Sequence, residues 1–142
     1  MNGTAVVISG IALVISLCSL YRSVRNDRRD ITLRLHESLI DPKLQTGRKV
    51  LHEMQDVESL TPEQYELANR ALAGLDIAGF YCAKRYVSEK DFLDLWAPAL
   101  VTLGRSAAPF LAYRDAQRPK PVWPYYRRLT RKAEEQLRRG SR

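Results

Sequence analysis

The chain is poor in the side chains that do most enzyme chemistry, with two histidines and two cysteines among 142 residues. His36 and His52 are each followed by glutamate, but neither stands in an HExxH pattern and no cysteine cluster accompanies them. Two ligands do not complete a zinc site, which needs at least three protein donors. A GxSxG elbow, a P-loop and a GxGxxG turn are all missing, and no alternating polar and apolar stretch offers a strand for such a loop to follow. No catalytic residue, no metal ligand, no cofactor and no small-molecule substrate is therefore assigned. Cys18 lies in an apolar run and Cys82 in a helical pattern, with no second thiol near either, which excludes a disulfide framework and suits a reducing compartment.

Charge is missing from one long stretch, AVVISGIALVISLCSLY, residues 5–21. As a helix rising about 1.5 Å per residue, it nearly crosses a hydrocarbon core about 30 Å thick. Its serines are compatible with that, because a helical hydroxyl can bond back to its own backbone. Arg22, Arg25, Arg28 and Arg29 follow the run and no basic residue precedes it. The positive-inside bias then retains the C-terminal side in the cytoplasm and sends the N-terminus outward. A cleaved signal peptide would need a basic region before the run and small residues after it. The expectation is an uncleaved, single-pass signal anchor in the inner membrane, with 1–4 a short external segment and 5–21 the transmembrane helix.

Beyond the run the helical phase continues through Ile31, Leu35 and Leu39 to a stop at Asp41-Pro42, where aspartate can cap and proline suits a first turn. A second helix carries Leu44, Val50, Leu51, Met54 and Val57 and fades near Glu58. Thr61-Pro62-Glu63-Gln64 is a capping-box pattern that opens a third helix, expected to reach Tyr86, with a seam at Ala68, Leu72, Leu75, Gly79, Cys82 and Tyr86. Small residues crowd that seam and invite close helix approach. Asp76 shares its face with Leu72 and Gly79, so a buried carboxylate paired to an arginine or histidine is expected there. Ser88 and Asp91 open a fourth helical stretch marked by Phe92, Trp96, Leu100, Leu103, Ala107 and Phe110. Proline removes a donor and clashes with the preceding turn, so a break is expected at Pro98 and a bend at Pro109. RPKPVWP reads as an extended connection, and a last helix runs from Pro124 to about Arg139. The fold class is all-α, an N-terminal transmembrane helix continuing into a small antiparallel bundle over 22–118, followed by a proline and aromatic connection and a basic helix over 119–142.

The order of elements resembles a bacterial family of membrane-anchored domains of unknown function, family 4760. The resemblance runs through GRKVL at Gly47 to Leu51, KRYVSEKDF at Lys84 to Phe92, the Trp96 segment with PFLAYR at Pro109 to Arg114, and the aromatic patch from Val122 to Tyr126. It implies a fold and a location, and no reaction.

The basic excess is local. Residues 1–113 carry 13 Lys and Arg against 13 Asp and Glu, so the formal charge of +7 belongs to the last 29 residues, with 10 against 3. There Trp123, Tyr125 and Tyr126 interleave with Arg127, Arg128, Arg131, Lys132, Arg138 and Arg139. A solvated helix end, contact with anionic lipid and contact with nucleic acid compete for this segment. No RRM, helix-turn-helix or other module supports nucleic acid, which is disfavoured. The expected function is a non-catalytic interaction or regulatory module at the cytoplasmic face, its partners being the bilayer and another protein or a second copy. The alternative is an enzyme with a site built from Asp76, His36, His52 and Arg48. Trp96, Tyr113, Trp123, Tyr125 and Tyr126 are candidate partner contacts, against the simpler reading that large aromatics near prolines cement helix junctions.

Overall fold

The computed structural model describes residues 2–140, with side chains described from Leu13 onward apart from Arg25. Six helices follow one another: α1 Asn2–Leu39, α2 Pro42–Glu53, α3 Pro62–Ala83, α4 Glu89–Ser106, α5 Ala108–Ala116 and α6 Pro124–Gly140. The fold is all-helical, with no strand among the described residues.

Local chemistry sets most boundaries. The Asp41 carboxylate accepts from the Lys43 amide at 2.9 Å and starts α2. Thr61 and Gln64 form the reciprocal capping box of α3, each side chain taking the other residue's amide. Ser88 accepts from the Asp91 amide at the start of α4. Each bond satisfies an amide that the first helical turn leaves without an internal partner.

Three boundaries depart from expectation. α2 stops at Glu53 rather than near Glu58, because Asp56 organises a turn: its carboxylate accepts from the Glu58 amide and its carbonyl from the Ser59 hydroxyl. Val57 is buried from this turn and not from a helix face. α3 ends at Ala83, since Arg85 takes a left-handed φ of 61° and the amides of Tyr86 and Val87 both fold back onto the Tyr81 carbonyl. Val87 thus enters the core, and Tyr86 is exposed instead of extending the seam. Pro98 does not break α4, which runs through it to Ser106. Pro98 and Asp94 are both exposed, so the Asp94 carbonyl that loses its donor faces water. The break comes at Ala107, with Pro109 in the first turn of α5.

α2 and α3 form an antiparallel hairpin in which Leu44 meets Gly74 while Gly47 meets Leu67 and Ala71. α6 is different. It begins against Asp76 and Gly79 and travels with α3, so that Arg128 and Lys132 come to line the same cavity as Cys82, and it also packs along α4. Leu39, Leu51, Leu72, Leu75, Phe92, Leu100, Phe110, Tyr126 and Leu129 form the fully buried heart of the core. α1 joins it through Leu35 and Leu39, the four-residue stripe read from the sequence.

The first half of α1 stands clear of the bundle. Leu13, Val14, Ile15, Leu17, Leu20 and Tyr21 are all exposed, at 56% or more; five of them share one broad face of about 120° and Ile15 lies on the opposite side. Among the described residues no helix is long and apolar enough to cross a membrane. The transmembrane segment expected over 5–21 is not shown, because the side chains of residues 5–12 lie outside the described residues, as do those of the expected external segment 1–4.

Candidate functional site

Two of the four residues of the expected enzyme site, Arg48 and His52, line a groove between α2 and α4, and His36 lies behind its Trp96 wall. Its volume is about 640 Å³, and Arg48, His52, Leu75, Trp96, Leu100 and Leu103 contribute to its lining. One turn of α2 carries Arg48 and His52 on the same side, and α4 presents Trp96 opposite. The Arg48 guanidinium lies 5.3 Å from the centre of the Trp96 ring, and burial pulls its pKa below the ordinary arginine value. The Trp96 indole N–H donates to His36 Nδ1 at 3.1 Å, and the rings of His36, Trp96 and Phe92 cluster nearly parallel, with their centres 6.0 to 6.3 Å apart. His52 turns away to Ser106 Oγ, with its Nδ1 at 2.9 Å. The histidines therefore serve different partners, and no group of three or more His, Cys, Asp or Glu that could hold a metal occurs among the described residues.

Asp76 is elsewhere. Its Oδ1 accepts from the Tyr125 amide at 2.8 Å and the Tyr126 amide at 2.9 Å, the second and third residues of α6. Trp123, just before that helix, has a φ of 51°. The cap that Trp123 cannot provide is thus supplied from α3, by a carboxylate at the positive end of the helix. Gly79 makes the approach possible, since a Cβ there would fall 2.6 Å from the Tyr125 carbonyl oxygen. The expected arginine or histidine partner is replaced by two backbone amides, and a site combining Asp76 with His36, His52 and Arg48 does not assemble.

The basic residues divide into two groups. Arg127 is tied to Asp115 at 2.7 Å and to the Val122 carbonyl, where it closes the proline-rich connection. Arg128 and Lys132 both reach Glu89 at the start of α4, the former at 3.2 Å. Arg131, Arg138 and Arg139 are exposed. Arg28 and Arg29, expected only as flanks of the apolar run, join Arg85, Arg128 and Lys132 around a second cavity of about 550 Å³, with Glu89 and Asp91 at its side. Arg22 is exposed on α1, and the side chain of Arg25 lies outside the described residues. Cys82 lines this cavity from α3, where burial, reinforced by Glu89, pushes its thiol up to about 11. It is a protonated core residue at neutral pH and a poor nucleophile.

The candidate contact aromatics lie mainly at junctions. Trp123 stacks on Phe110 at 6.2 Å with the Arg114 guanidinium 5.5 Å from its ring, and Tyr125 meets Phe80 edge-on at 5.3 Å. Tyr126 is fully buried, and burial pushes its phenol up to about 12. Tyr113 is the most open, touching Tyr65 at its edge. Sequence reading missed Arg85, Glu89, Arg114 and Asp115 as organising charges. Glu89 carries a signal, an acid directly after the N-cap Ser88, but nothing local discloses its partners 39 and 43 residues away.

No family model matches the chain, and no curated protein or solved structure shows significant similarity to it.

Proposed function

We propose that the chain is a membrane-tethered, non-catalytic helical module, held in the inner membrane by α1 with its bundle on the cytoplasmic side and engaging another protein or a second copy of itself. The observation that carries this reading is the first half of α1, whose described apolar side chains are all exposed although the other half of the same helix is packed in the core. An uncharged helical segment with this much exposed apolar surface belongs in an apolar surrounding, lipid or protein. The four arginines after it favour an N-out, C-in orientation. The likeness of its element order to the membrane-anchored family 4760 is consistent with the same placement.

Chemical features add support from the other side. His36 and Asp76 are engaged in packing and capping, so an enzyme would have to work with Arg48 and His52 alone among the four residues considered.

Extraction of membranes at alkaline pH tests the tether: the full chain should stay in the pellet, and its release would overturn the reading. Crosslinking in intact membranes, with captured proteins identified by mass spectrometry, tests the module. One reproducible neighbour or a crosslinked dimer is expected, and hydrolytic turnover of a substrate by the full chain would overturn the non-catalytic assignment.

A further inference from the structure

We propose that the cavity between α1, α4 and α6 is a binding site for a phosphate-bearing anion, and that the phosphate is the headgroup of an anionic lipid in the leaflet facing the bundle. This rests on the membrane-tethered reading for the source of the phosphate, and on the cavity alone for its chemistry.

Five cationic side chains from separate parts of the chain line the cavity: Arg28 and Arg29 from α1, Arg85 from the turn after α3, and Arg128 and Lys132 from α6. Two carboxylates, Glu89 and Asp91, lie among them, which leaves an excess of three positive charges. The division of labour between these charges is informative. Glu89 takes Arg128 and Lys132 and fixes their positions, whereas Arg28, Arg29 and Arg85 have no ion pair among the described residues. Three like charges with only the Asp91 carboxylate to balance them repel one another, and a phosphate, which accepts bidentate bonds from guanidinium groups, relieves that repulsion. The backbone contributes as well. Arg85 is held at a positive φ of 61°, a costly conformation for a residue with a side chain, and the turn it makes brings Arg85 to the cavity.

Location supplies the source. Arg28 follows Tyr21 by seven residues, about 10 Å along the helix axis, and helical side chains lean toward the N-terminus, here toward the apolar run. Arg28 and Arg29 therefore lean back toward the headgroup layer just below the hydrocarbon core. An anionic lipid is concentrated at that level, whereas a soluble phosphate would have to compete with it.

The test uses the full chain in neutral detergent micelles, titrated with a short-chain phosphatidic acid, a short-chain phosphatidylcholine and inorganic phosphate, with binding read by native mass spectrometry and calorimetry. Phosphatidic acid should bind in a one-to-one complex, and phosphatidylcholine should not. Arg85→Gln, which removes the charge and keeps an unbranched side chain at this exposed turn position, should weaken binding about fivefold, and a double substitution of Arg28 and Arg29 by glutamine about 25-fold, following the contribution of one cation near an anionic surface. Arg139→Gln, which removes the same charge outside the cavity, should leave binding within about twofold. Weak competition by inorganic phosphate supports the headgroup, and equal competition overturns the lipid source while keeping the phosphate site. If Arg85→Gln and Arg139→Gln weaken binding equally, or if no complex forms, the cavity is not a site. Alkaline extraction of the same membranes separates the two readings. A chain that stays in the membrane without headgroup selectivity overturns the cavity alone, and a chain that is released yet binds the soluble probe overturns the tether alone.

Discussion

The two halves of α1 obey different rules although they are one unbroken helix. From Ile31 to Leu39 the apolar residues recur every four positions, and the helix buries one stripe against the bundle while Leu33 and Arg34 face outward. From Leu13 to Tyr21 leucine, valine and isoleucine are exposed on a broad face and, at Ile15, on the opposite side, and none of them is buried in the fold. Helical hydrogen bonding is the same in both. What differs is the surrounding each half requires, and the arginines between them mark the change.

The largest effect should come from separating the halves. A chain beginning at Arg28 should move entirely from the membrane pellet to the soluble fraction and still unfold cooperatively, because Leu35 and Leu39 stay in place. Retention in the pellet would show that the bundle binds the membrane without its anchor. Next comes a matched pair of substitutions in the full chain. Leu39→Ala empties a fully buried position and should cost about 2–5 kcal/mol in denaturant unfolding of the bundle, while Leu17→Ala should change it by less than about 0.5 kcal/mol. Equal costs would erase the distinction between the halves.

Smaller effects probe how the rest of the bundle is closed. Gly79→Ala pushes a methyl group into the Tyr125 carbonyl and should cost about 1–3 kcal/mol, with faster amide exchange in the first turn of α6. Asp76→Ala should cost about 1–2 kcal/mol and speed the same amides, and Asp76→Asn, which keeps an acceptor, should cost less. Alkali should act on the bundle and spare the first half of α1. Folding raises the Cys82 thiol from about 9 to about 11 and the Tyr126 phenol from about 10 to about 12. Both groups favour the folded state while neutral, so their contribution is complete below about pH 9 and is lost as pH rises toward 12. Thermal unfolding followed from pH 7 to pH 11 should show stability falling only above about pH 9, and alkylation of Cys82 at neutral pH should require unfolding.

Much of the fold was legible because its signals are local. The Asp41-Pro42 stop, the Thr61–Gln64 capping box, the α3 seam from Ala68 to Cys82 and the start of α6 at Pro124 all involve residues a few positions apart. The misreadings also have local causes. Pro98 looked like a break because the sequence does not say which side of α4 faces water, and the ends of α2 and α3 were placed late because periodicity ran on past a turn set by Asp56 and a backbone reversal at Arg85. The candidate sites were less legible, since they depend on distant pairings. Arg28 and Arg29 in the middle of α1 and the basic C-terminal helix appeared as two separate clusters, and only the packing of α6 along α3 and α4 brings them to one cavity. Asp76 reads in the sequence as a carboxylate buried against an arginine or histidine, but it is half-buried and its partner is the start of a helix 49 residues away.

That capping arrangement sets an order of assembly. α6 carries no N-cap side chain of its own, so its first turn is incomplete until α3 has formed and offers Asp76. α6, which follows α3 along the chain, must thus wait for earlier structure, and until it docks, the surfaces that Tyr126, Leu129 and Ala133 will cover stay open to water. A chain in which α6 has not yet docked exposes an apolar cleft, which makes the docking of α6 the step most open to capture by a chaperone or by misassociation with a neighbouring copy.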